Sequence, residues 1–101
     1  MRIMLFFDLP RDTHDQRAAA TKFVKKIKEE GFMMLQESVY TRLLLNPTAI
    51  GTIKARLQKI KPKEGNIMML IVTEKQFGSM EYLLGQAPTA QINSTDRLVI
   101  I

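Results

Sequence analysis

The sequence predicts an α+β domain in the order strand, helix, strand, strand, helix, strand, with one more strand appended at the C-terminus. Three observations carry this. Two apolar runs, "IMLFF" from Ile3 and "NIMMLIV" from Asn66, are continuous rather than alternating, as strands covered on both faces are. Two segments repeat apolar side chains every three or four residues: Ala20, Phe23, Val24 and Ile27, then Ile50, Ile53, Leu57 and Ile60. Between them lies a strand-like stretch, residues 32–45, too long for one ordinary strand of about five or six residues. A β-α-β-β-α-β unit is the ferredoxin-like arrangement.

The elements follow in order. Arg2–Asp8 is the first strand, and Pro10 stops it. Thr13 and Gln16 form a T-x-x-Q capping box that opens the first helix. That helix runs to about Glu30, where Gly31 suits the position just past a helix end. Its lysines Lys22, Lys25 and Lys26 point away from the apolar stripe. The 32–45 stretch breaks near Glu37 and Ser38 into a tight hairpin. Asn46 and Pro47 start the second helix, with Asn as cap and Pro at the first helical position. Residues 61–65 are a loop and 66–73 a strand. Thr73 and Gln76 repeat the capping box before a short helix. "EYLL", 81–84, reads as a short strand, 85–96 as a loop, and "RLVII", 97–101, as a final strand.

This fold places helices on only one face of the sheet, yet the first and fourth strands are apolar on both. Ile3, Leu5 and Phe7 lie on one face, and Met4, Phe6 and Asp8 on the other. In a chain of 101 residues, read as one domain (1–101), a second copy is the economical cover. The expectation is a homodimer packed sheet to sheet, with "RLVII" free to pair with the partner's sheet edge.

The formal charge is +5, from 15 Lys and Arg against 10 Asp and Glu. Such a balance suits phosphate contacts with nucleic acid. The absence of cysteine excludes disulfides and thiolate metal sites. The apolar run ending at Asp8 is too short for a signal peptide or a membrane span, so the expected location is cytoplasmic, with no membrane partner. The phosphate-loop, dinucleotide-binding and H-E-x-x-H patterns are absent. The lone histidine, His14, lies in the first turn of a helix and reads as a surface residue.

Asp8 is the residue that asks for an explanation: one acid closes a run of five apolar side chains. It either begins the turn into Leu9 and Pro10 or holds a cation at the end of a strand. In the second case two Asp8 carboxylates would meet near a dimer axis and share Mg²⁺, whose bound water could attack a phosphodiester. Arg11 and Arg17 lie near the same strand end and could hold phosphate.

Taken in this order, "MRIMLFFDLP", "LQESVY" and "VTEKQF" resemble the CRISPR-associated protein 2 family over essentially the whole chain. The resemblance implies a ferredoxin-like homodimer acting in the adaptation step of CRISPR immunity. It implies that the dimer sits between two pairs of integrase subunits, CRISPR-associated protein 1, and holds the incoming double-stranded DNA. Some members are described as metal-dependent endonucleases. The family's metal-binding aspartate falls on Asp8, and its polar and aromatic hairpin segment on Gln36, Ser38 and Tyr40; Ser38 and Tyr40 would help shape the site.

Two functions follow as expectations. The first is a dimeric scaffold for duplex DNA, with Arg11, Arg17, Lys22, Lys25 and Lys26 on the phosphates. The second is an Mg²⁺-dependent endonuclease on DNA or RNA, with Asp8 as metal ligand and catalytic residue. A third, weaker relation is to ferredoxin-like RNA-cleaving toxins.

Overall fold

The computed structural model describes residues 1–88. Within them the chain forms β1 (Arg2–Asp8), α1 (His14–Glu29), β2 (Met33–Gln36), β3 (Val39–Leu43), α2 (Ala49–Ile60), β4 (Asn66–Val72) and α3 (Glu74–Gly78). The four strands make one sheet in the order β2-β3-β1-β4, every neighbouring pair antiparallel. This is the ferredoxin-like order. The expected strand at 97–101 lies outside the described residues.

Local chemistry sets the element ends. At the start of α1 the Thr13 hydroxyl accepts from the Gln16 N–H at 3.1 Å. The Gln16 side chain accepts in return from the Thr13 N–H at 3.0 Å. At its end the Phe32 N–H reaches the Ile27 carbonyl and the Gly31 N–H the Lys28 carbonyl, both at 3.0 Å. That paired closure needs a left-handed residue between, and Gly31 supplies it at φ +92°. Thr73 and Gln76 make the same reciprocal box for α3. The β2–β3 hairpin turns at Glu37 and Ser38, the latter at φ +66°.

Two expectations change. The α-helix begins at Ala49, not at Pro47. Asn46 still caps: its side-chain oxygen accepts from the Thr48 N–H at 3.0 Å, but the turn it caps is closed by Ala49 N–H to the Asn46 carbonyl, three residues back. Residues 81–84 are not a strand. Leu83 and Leu84 are almost wholly exposed, and a strand exists only where a neighbour completes its ladder.

The core lies between the sheet and α1 and α2. Ile3, Leu5 and Phe7 of β1 and Tyr40 of β3 meet Phe23 and Ile27 of α1 and Ile53 and Leu57 of α2. Phe7 meets Phe23 edge-on at 5.3 Å and stacks on Tyr40 at 5.6 Å.

Among the described residues the other face of the sheet carries no long helix. Register builds three rows across it: Met33–Thr41–Met4–Leu70, Gln36–Val39–Phe6–Met68, and Leu43–Arg2–Val72. The Arg2 end is covered by α3. The Arg2 guanidinium sits 4.2 Å over the Phe77 ring, and its Nε donates to Glu74 at 3.0 Å. Met4 and Thr41 in the middle of the face are buried, whereas β4 stays open, with Met68 65% exposed and Leu70 53%. Among the described residues no helix is long and apolar enough to cross a membrane.

Candidate nucleic-acid interface and metal site

Asp8 is the last residue of β1 and pairs in register with Asn66, at the edge of the open sheet face. Strand alternation puts its carboxylate on the side of Met4 and Phe6. The carboxylate is exposed, and among the described residues it accepts no hydrogen bond and joins no ion pair. A turn-forming aspartate accepts from a backbone N–H a residue or two ahead. Asp8 does not, so the turn gives no reason for an acid here. What fixes the position is Gly65. At φ +109°, a Cβ there would lie 2.8 Å from the Asp8 carbonyl oxygen, so only glycine lets the start of β4 approach the end of β1 this closely.

One chain offers a cation little beyond this single carboxylate. Among the described residues no group of three or more His, Asp or Glu side chains could hold a metal. Mg²⁺ takes one or two carboxylates and keeps water in its other positions, so Asp8 could supply one of its ligands.

The other expected site residues separate into three places. Ser38 sits beside the strand end, where its carbonyl accepts from the Phe7 N–H at 3.1 Å. Its contribution there is backbone geometry. Tyr40 lies on the helix side, opposite Leu5 in register, and is buried against Phe7. It therefore stands across the sheet from the Asp8 carboxylate. Its phenol is pushed above the usual tyrosine value by burial, a push opposed by Arg11 and reinforced by Glu37. Arg11 is exposed in the β1–α1 loop. The Arg17 Nη1 donates to the Arg11 and Asp12 carbonyls, both at 3.2 Å. Arg17 thus fastens that loop to α1, a role its sequence position does not disclose.

Lys22, Lys25 and Lys26 are all exposed on α1, but they do not share one surface. Lys22 and Lys26 line a cleft of about 760 Å³ between α1 and the end of α2; Lys25 does not. Lys59, Lys61 and Lys63 line the same cleft from the other side. Sequence reasoning left these three out of the site. Their alternating spacing across Pro62 was visible, but not that it faces α1. His14 is a surface residue, as expected, 3.8 Å from Asp15 and 89% exposed.

Comparison with known proteins agrees with this fold. The family model for "CRISPR associated protein Cas2" matches residues 1–80. The CRISPR-associated endoribonuclease Cas2 of Streptococcus mutans serotype c is 50% identical over the whole of this chain and 93% of its own length. The protein of the same name from Treponema denticola is 42% identical, with both chains covered completely. A crystal structure of Streptococcus pyogenes Cas2 at pH 6.5 superposes with a TM-score of 0.64, at 23% identity, over 82% of this chain and 99% of that one. That likeness speaks for the fold; the sequence matches speak for the lineage. The chain belongs to the CRISPR-associated protein Cas2 family.

Proposed function

We propose that this chain is the dimeric subunit of a CRISPR adaptation complex, holding duplex DNA together with the integrase, CRISPR-associated protein 1. The observation that carries the reading is the open sheet face. Met33, Leu43, Met68 and Leu70 leave large apolar side chains exposed on one sheet face of a chain otherwise rich in charge. Surfaces of this kind mark interaction sites. A second copy offers the same rows in reverse, as a two-fold interface requires. Two copies would double the +5 charge of one chain, which suits a polyanionic ligand.

A second reading has its own observation. Asp8 is an exposed acid that makes no hydrogen bond or ion pair among the described residues, at the edge of the face that a second copy would cover. The relatives are named endoribonucleases. Two Asp8 residues would then hold Mg²⁺, which when bound supplies a more acidic water for phosphodiester hydrolysis. Asp8 would be the ligand from each copy, and Gly65 fixes the backbone behind it.

The test is an integration assay with the purified integrase and a short duplex, using wild type and Asp8→Ala, beside a cleavage assay in Mg²⁺ and in chelator. The scaffold reading expects integration to require this protein and to survive Asp8→Ala. Integration that proceeds without the protein refutes it. Cleavage lost in both Asp8→Ala and chelator, with the dimer intact, would establish the nuclease.

A further inference from the structure

We propose that the cleft between α1 and the end of α2 is a phosphate-backbone site, in which one strand of a DNA duplex lies against the helical side of the protein. This inference rests on the DNA-holding function proposed above and names the surface that performs it.

Five lysines line the cleft. Lys22 and Lys26, four residues apart, come from one face of α1; Lys59, Lys61 and Lys63 come from the end of α2 and the loop beyond. The carboxylates on the lining are Asp15 and Glu64. The cleft thus concentrates three net positive charges of the chain's five.

Little offsets them. Among the described residues Lys22, Lys59 and Lys63 have no carboxylate within 4.0 Å, and Lys26 reaches Glu29 only at 3.9 Å. Lys61 donates to the neutral Gln58 side chain at 2.8 Å. A lysine in the last turn of a helix commonly serves that helix's negative end. This accounts for Lys59. It does not account for Lys22, in the middle of α1.

The shape suits a backbone. Pro62 holds Lys61 extended at φ −64°, ψ 145°, ending α2 and carrying Lys63 forward along the rim. Ala19, Ala20 and Phe23 form a low floor on which lysine stems can lie while their ammonium groups reach up. Ammonium groups contact phosphates as point charges and read no sequence, as capture of arbitrary DNA requires.

The cleft lies on the helix side of the sheet, whereas the open apolar face and the Asp8 carboxylate lie on the other. Pairing of two copies and contact with DNA therefore do not compete.

Binding of a short duplex would be followed by fluorescence anisotropy across a salt series. Circular dichroism and light scattering would check the fold and oligomeric state of each variant. The triple variant Lys22→Glu, Lys59→Glu, Lys63→Glu should reduce the slope of log K against log salt by about 3 for each cleft the duplex occupies. A second triple, Lys25→Glu, Lys28→Glu, Lys75→Glu, makes the same charge change outside the cleft and should reduce it by less than about 1. Glu64→Gln, which removes a rim carboxylate, should tighten binding; this covers a cleft triple that fails to fold. Equal losses from both triples, or no gain from Glu64→Gln, overturn the cleft while leaving a DNA-holding protein. A wild type that binds no duplex at low salt overturns both.

Discussion

Leu70→Ala tests the open face quantitatively. Leu70 lies on β4 opposite Met4, and 53% of it remains exposed. Full burial of such a side chain is worth about 1.5–3 kcal/mol, so roughly 1 kcal/mol is still to be gained there. An isologous interface counts each residue twice. Leu70→Ala should therefore cost the dimer roughly 2 kcal/mol, a rise in Kd of about 30-fold. Leu70→Asp should abolish pairing at concentrations where wild type pairs, because two carboxylates would be desolvated near each other. Sedimentation equilibrium over a dilution series measures both. The fold itself should lose less than about 1 kcal/mol, since half the side chain already faces water. A Leu70→Asp protein that dimerises like wild type would refute the reasoning and place any interface elsewhere.

Three further outcomes follow from single contacts. Gly65→Ala should lower stability by about 1–3 kcal/mol in urea, through positive φ and a Cβ 2.8 Å from the Asp8 carbonyl; a loss below about 0.5 kcal/mol would mean the turn relaxes freely. Glu74→Ala should cost about 1–3 kcal/mol, because it leaves the buried Arg2 guanidinium without its anion, and Arg2 Nη1 already lacks a partner among the described residues. Adding Arg2→Met should recover part of that loss, and a double variant weaker than Glu74→Ala alone would contradict the account. Tyr40 keeps its proton to higher pH when folded than when unfolded, so its contribution is present below about pH 10 and lost as pH rises through the folded value. Tyr40→Phe should flatten the dependence of Tm on pH in that range, and an unchanged alkaline profile would exclude Tyr40 as its source.

How much was legible differs from element to element. The caps of α1 and α3, the Gly31 closure and the break at Glu37 and Ser38 were all readable, because each depends on residues within a few positions of one another. Asn46 was readable as a cap, but not the tight turn that delays α2 to Ala49. The strand expected at 81–84 failed for a different reason: "EYLL" has the composition of a strand, and only the fold decides whether a neighbour is there to pair with it.

β1 and β4 show where sequence stops. Both are continuous apolar runs and look alike as text. Among the described residues β1 is central, whereas β4 is an edge strand with Met68 and Leu70 left open. The candidate site divides in the same way. Sequence by itself determined the strand and helix order, the acid at the end of the first strand, and the two groups of lysines. Tertiary structure decided that Tyr40 lies across the sheet from Asp8, that Arg17 fastens a loop, and that Lys22 and Lys26 face Lys59, Lys61 and Lys63 across one cleft. Hydrogen-bonded caps and periodic stripes are local, and the chain carries them wherever it goes. Which faces meet is settled only when distant segments compete to bury apolar surface around one core.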